Sequence, residues 1–434
     1  MPNPSPPPAV VRAHDPRPGL FLLGCAALCG VLSGLVMVAF RLLIDGAQMR
    51  LLGAGRLDDF AALAPLTRIA LAGAGGAALG LLWARLPAAT RAVGVAHVLE
   101  RCAYHGARLP GINALLQFLG AASCLICGHS VGREGPAIHI GATAGSLLAE
   151  RAALSLDARR LLVACGTAGG IAAAFNTPLA GVAFAVEVLL GLSALPNLTP
   201  VLLAAVVATA ISRGFYGDHA LLPAAPPGFD ALAQLPGLAL QGALTGLLAV
   251  AFVQALRTVA GRSQAAGPAL RLTLGGLACG VIGAGWPEVM GLGYGTARAA
   301  IDGTLTALTL APLLAAKFAA TVLGLGLGLP GGLIGPSLVL GALAGGLSGH
   351  WLPGADPGLC ALLGMGAMMG ATLNAPLAAL VALLELTQDP RLILPAMLTI
   401  AAADLVSHRV FGLPSVFVAQ LQMRGIDWPP RERP

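Results

Sequence analysis

The stretch GREGPAIHIGA (132–142) returns 200 residues later as GLIGPSLVLGA (332–342), so that Gly132, Gly135, Pro136, Gly141 and Ala142 recur as Gly332, Gly335, Pro336, Gly341 and Ala342. A second pair follows in the same order at an offset of 198. NTPLAGVAFAVE (176–187) and NAPLAALVALLE (374–385) share Asn, Pro, Leu, Ala and the closing Glu. Two blocks at nearly one offset mark an internal duplication, a common plan of transport folds whose site lies where the repeats meet. An odd number of crossings in each repeat sets the two antiparallel in a membrane.

Composition agrees with that plan. Of 434 residues, 57% are hydrophobic and 10% charged, with a mean hydropathy of +0.83, whereas a soluble domain carries about 25% charged residues. Uncharged stretches recur at Leu20–Phe40, Leu161–Val186, Val188–Ser212, Ala231–Leu256 and Phe318–Ala355. A helix of about 20 apolar residues crosses the hydrocarbon core, so the chain reads as an all-α polytopic membrane protein. The expected division is a disordered cytoplasmic leader (1–18), a first membrane repeat (19–213), a linker (214–234), a second repeat with a C-terminal helix (235–424) and a short cytoplasmic tail (425–434). The first apolar stretch lacks a small-residue cleavage pattern and reads as a retained helix. Arg12, Arg17, Arg424, Arg431 and Arg433 place both termini in the cytoplasm under the positive-inside rule.

The net charge of +6 comes almost wholly from arginine, since Lys317 is the single lysine. With no basic run and 4% aromatics, nucleic-acid binding is excluded. Most of the eight cysteines lie in apolar stretches and read as small buried hydrophobes; the Cys124/Cys127 CxxC has no second ligand pair. No metal or cofactor is called for.

Each GP block places glycines ahead of an uncharged helical stretch, with Pro136 and Pro336 suited to the first helical position. Unpaired N–H groups at such helix starts, together with the positive helix end, form an anion site that needs no cationic side chain. That suits a permeating ion, which must bind and also leave. Glu134 lies inside the first of these starts, where a carboxylate in the membrane is costly and points to function. Deprotonated, it competes with the ion for the same N–H groups; protonated, it lets go. The structural alternative is a Glu134–Arg133 pair stabilising the loop. Glu187 and Glu385 end equivalent helices and read as structural acceptors of N–H bonds from a neighbouring segment. Asn176 and Asn374, each two residues before a proline, read as caps at helix starts. His129 and His139 read as satisfied interior histidines. Residues 128–132, GHSVG, also spell the GxSxG of a serine hydrolase elbow, a remote reading because that elbow needs a strand before its serine.

These residues resemble the CLC family of chloride channels and proton-coupled chloride transporters from Leu20 to about Arg424. GREGP (132–136) carries most of the resemblance, PGGLIGP (330–336) is similar to the family's GxFxP element, and FNTPLAG and LNAPLAA resemble its paired helices. The resemblance implies two inverted-topology repeats with several half-spanning helices, and a homodimer in the bilayer with one pore per subunit. It also implies the plasma (inner) membrane of a prokaryote. Glu134 would be the gate, with Gly132, Arg133, Gly135, Gly332, Leu333, Ile334, Gly335 and Pro336 around the ion. Aligning the family's GSGIP element with RAVGVAHVLE puts Val93 where its anion-coordinating serine stands, and Phe417 falls at its pore tyrosine. Both hydroxyls are then missing. The internal proton-accepting glutamate of coupled members falls at Val188, which tilts this reading toward a channel. The expected function is therefore chloride transport, not enzyme catalysis, through a glutamate-gated pore that is channel-like or loosely coupled to protons. The alternative is a proton/chloride or fluoride/proton antiporter of the same fold.

Overall fold

The computed structural model describes residues 19–53, 57–190, 198–218 and 232–428. The leader and most of the tail lie outside the described residues, as do 219–231 of the linker. Of the rest of the linker, Gly214–Tyr216 finish a helix and Leu232–Gln234 form a 3-10 turn into the next one.

The described helices fall into two matching sets. The first holds α1 (Gly19–Leu52), α2 (Pro65–Arg85), α3 (Val95–Tyr104), α4 (Gly111–Ile126), α5 (Glu134–Arg151), α6 (Leu156–Phe175), α7 (Pro178–Phe184) and α8 (Thr199–Tyr216). The second repeats it with α9 (Leu235–Ser263), α10 (Pro268–Gly285), α11 (Tyr294–Ile301), α12 (Ala307–Gly326), α13 (Ile334–Gly349), α14 (Pro357–Leu373), α15 (Pro376–Thr387) and α16 (Ile393–Asp404). A last helix, α17 (Val416–Met423), follows. Seven helices among the described residues are long and apolar enough to cross a membrane, and α4, α13, α14 and α15 are shorter apolar helices. The uncharged stretch Leu161–Val186 is therefore two helices rather than one span. It breaks at Asn176, and Pro178 starts α7.

The repeats meet about a two-fold relation that the glycines make visible. Where α2 crosses α10, a Cβ on Gly76 would lie 2.5 Å from the Leu272 carbonyl oxygen, and one on Gly276 would lie 2.4 Å from that of Ala72. Within each half, α5 crosses α6 as α13 crosses α14. A Cβ on Gly141 would approach Gly166 O to 2.1 Å and one on Gly341 would approach Gly364 O to 2.2 Å; the Gly145–Leu162 and Gly345–Cys360 contacts repeat the match at 2.0 Å. Small residues let backbones touch where lipid offers helices no hydrophobic drive to associate.

Asn176 and Asn374 do not cap the starts of α7 and α15. They end α6 and α14 in the left-handed conformation, at φ 62° and 54°, a conformation that asparagine's short side chain tolerates. Pro136 and Pro336 stand third in their helices, not first, still within the first turn, where a missing N–H costs nothing.

Gly166→Val should separate α5 from α6, because the added Cβ would lie 1.9 Å from Gly141 O. The expected outcome is a thermal unfolding midpoint in detergent at least about 3 °C lower, whereas Gly24→Ala, with nothing within 4 Å, should leave it unchanged.

Candidate anion site

The loops that lead into α5 and α13 cross where the repeats meet. Gly132 donates its N–H to the Gly332 carbonyl at 2.8 Å, and Gly332 returns the bond to Gly132 O at 2.7 Å, a two-residue antiparallel bridge. Only glycine allows it: a Cβ on Gly332 would lie 2.7 Å from the Gly135 nitrogen, and one on Gly331 2.4 Å from Val131 Cβ. The sequence reading counted Gly132 and Gly332 among the amides facing the ion. Their N–H groups are instead committed to each other's carbonyls.

Glu134 is the first residue of α5 and is fully buried. Its Oε2 accepts the Gly335 N–H at 3.0 Å, and its Oε1 accepts the hydroxyl hydrogen of Tyr294. The carboxylate of the first repeat therefore occupies the positive N-terminus of α13, in the second repeat, where a bound anion is favoured. Arg133 does not pair with it. Its guanidinium lies 5.6 Å from the centre of the Tyr294 ring.

Tyr294 escaped the sequence reading, although a signal was present: Gly94–Val95 and Gly293–Tyr294 start the equivalent helices α3 and α11 one repeat apart. The loop before it is locked from two sides. Lys317, fully buried, donates to the carbonyls of Val289 and Gly291 at 3.0 and 3.2 Å. Asp58, in the loop after α1, accepts the N–H groups of Leu292 and Gly293 at 3.2 and 3.1 Å. Burial pushes its carboxyl up to about 6, against the pull of those two bonds and of Lys317.

A cavity of about 290 Å³ opens beside the crossing, lined by Val93, Gly94, Gly135, Gly332, Leu333 and Phe417 among others. The structure thus gathers positions 93 and 417 with both glycine motifs, and its wall lies one residue from Glu134. Three arginines, Arg91, Arg271 and Arg424, also line it; Arg424 lies 4.0 Å from the Glu100 carboxylate, outside the cavity wall. A cleft lined by one sign of charge concentrates counter-ions. The Phe417 ring packs edge-on against Phe184 at 6.2 Å. Ile334 faces away, into an apolar void of about 20 Å³. Pro336 lies behind the bridge, its Cδ 3.0 Å from where a Gly132 Cβ would stand. Val188 is half-buried in a π-helical turn, packed against the main core.

Glu187 and Glu385 tie the repeats together reciprocally. Glu385 accepts the N–H groups of Leu179 and Ala180 at 3.0 and 2.7 Å, and Glu187 accepts those of Leu377 and Ala378 at 3.0 and 2.7 Å. Each carboxylate caps the start of the other repeat's short helix, where its charge also meets the positive helix end. His129 and His139 are only half satisfied. Their Nε2 atoms bond Ala72 O at 2.8 Å and His97 Nδ1 at 3.0 Å, while both Nδ1 atoms have no partner. Ser130 shares a hydrogen bond of 2.8 Å with Thr321 and lies between two helices, so the hydrolase elbow lacks its strand. All eight cysteines are free thiols.

A duplicated helical fold that brings opposed helix N-termini together inside a membrane defines an anion-transport protein. Comparison with known proteins agrees. The family described as "Voltage gated chloride channel" matches residues 75–408. A protein named "Putative chloride channel protein ClcB-like" from Ralstonia nicotianae is 34% identical over 417 residues, covering 92% of this chain and 96% of the relative. The H(+)/Cl(-) exchange transporter ClcA of Yersinia pestis is 30% identical over 428 residues, covering 91% and 86%. Among solved structures, a slow cyanobacterial Cl−/H+ antiporter superposes with a TM-score of 0.82 at 24% identity, over 93% of this chain and 97% of that one. A CLC-type fluoride/proton antiporter superposes with a TM-score of 0.77 at 21% identity, again over 93% and 97%. The chain belongs to the voltage gated chloride channel, or CLC, family of anion transporters.

Arg271→Gln should lower the initial rate of chloride flux into proteoliposomes by about threefold or more at low ionic strength. The deficit should shrink as added salt screens the cavity; a deficit independent of salt would contradict the electrostatic role.

Proposed function

We propose that this chain exchanges chloride for protons across the bilayer, with Glu134 as the group for which the two substrates compete. The observation that carries the reading is the Glu134 carboxylate seated on the Gly335 N–H and the Tyr294 hydroxyl at the start of α13. A carboxylate there takes the place of an anion. Protonation of Glu134 cancels its charge and weakens both bonds, so the side chain leaves and an anion takes the vacated N–H groups. Departure of the anion, with loss of the proton, returns the carboxylate. Each cycle thus moves an anion and a proton past one another.

Val188, which cannot hold a proton, favours a channel. The relatives divide: the one at 34% identity is named a chloride channel protein, whereas several at 30% identity over most of the chain are named exchange transporters. Exchange is the better-supported reading, with the proton reaching Glu134 by a path that does not use position 188. The hydroxyl-free positions Val93 and Phe417 favour a second reading in which fluoride is the preferred anion. A homodimer in a prokaryotic inner membrane completes the proposal, and crosslinking in native membranes tests that part.

In proteoliposomes loaded with chloride, efflux should drive protons inward and acidify the lumen. Chloride efflux with no proton movement would leave a channel; fluoride efflux far faster than chloride would favour the second reading. Glu134→Gln, a permanent mimic of the protonated state, should abolish proton movement and flatten the pH dependence of chloride flux. Unchanged pH dependence in that variant would remove Glu134 from its role.

A further inference from the structure

The cavity beside the helix crossing contains a neutral side chain, Gln117, neither of whose polar atoms has a partner among the described residues. Gln117 lies in α4, is fully buried and lines the cavity, yet both its Nε2 and its Oε1 have no hydrogen-bond partner. A buried carboxamide without partners is costly, and a residue needed only to fill that space would be Leu or Met. The side chain sits over the start of α3, its Oε1 3.9 Å from where a Cβ on Gly94 would stand. Gly94, at φ 85°, caps that helix, so the carboxamide adjoins another positive helix end. It also neighbours Val93 across the same cavity that Phe417 lines. Neither of those residues has a hydroxyl to offer an anion.

We infer that Gln117 is an anion ligand: its carboxamide N–H donates to the ion held in this cavity and stands in for the hydroxyls missing at Val93 and Phe417. Because the two ends of a carboxamide exchange by rotation about its last side-chain bond, a bound anion selects the orientation that turns the N–H toward it. The oxygen then faces the α3 N-terminus, where unpaired backbone N–H groups are available to it. A neutral donor suits this place, since it binds the ion without the long dwell that a buried cation would impose. The three arginines lining the same cavity gather anions, and Gln117 gives them a directed bond.

The inference rests on the anion-transport reading above, and the test separates the two. Chloride binding to the purified full-length protein in detergent is measured by titration calorimetry for the wild type, Gln117→Met and Gln117→Glu, beside chloride efflux from proteoliposomes. Loss of one hydrogen bond to a charged ligand predicts about a tenfold weaker chloride affinity in Gln117→Met, and at least as large a loss in Gln117→Glu, which has no N–H to donate. If Gln117→Met does not yield a monodisperse protein, Gln117→Glu, nearly identical in shape, carries the test. An affinity within twofold of wild type in the folded variant overturns the assignment of Gln117 while leaving transport intact. A wild-type protein that neither binds nor moves chloride overturns the transport reading itself.

Discussion

Two hydrogen bonds between Gly132 and Gly332 decide how the rest of the site is built. Non-helical backbone at membrane depth must satisfy its polar groups within the protein, because lipid cannot. The loops entering α5 and α13 do this for each other at their point of closest approach, and only residues without a Cβ allow it. With those two amides committed, the next N–H in the first turn of α13, that of Gly335, is taken by the Glu134 carboxylate from the other repeat. The repeats are thus joined by the same contact that creates the site between them.

The surrounding scaffold holds that contact in register. Glycine crossings of α5 on α6 and of α13 on α14, matched to within 0.1 Å in their closest approaches to Gly166 and Gly364, fix the direction in which the two opposed helices point. Glu187 and Glu385 each cap a helix of the other repeat, so neither half can shift without breaking bonds on both sides. The single lysine of the chain, Lys317, acts at one remove: it grips carbonyls of the loop that carries Tyr294 to Glu134. Charge here orders backbone at a distance.

That division accounts for the chemistry. A cation beside a permeant anion would hold it too firmly, whereas helix ends and backbone N–H groups bind more weakly and without side-chain reorganisation. The Glu134 side chain, as a carboxylate, has the sign of such an ion. The arginines stand at the cavity and not at the crossing itself.

Much of this was legible in the chain. Hydropathy marked the membrane, the offset of about 200 residues marked the duplication, and Gly-Pro after a glycine marked the two helix starts, with Glu134 at the first of them. Those signals survive in one dimension because they are local: a helix start, a small residue, a charge in an apolar run. What only the tertiary structure decided depends on residues distant in sequence. It paired Gly132 with Gly332. It set Glu134 on the other repeat's helix with Tyr294 as its partner, ended helices rather than starting them at Asn176 and Asn374, and left Gln117 buried in the cavity with nothing to bond. Each follows from which backbone groups are satisfied once the two halves close on one another, a sum over contacts across the fold that no local pattern contains.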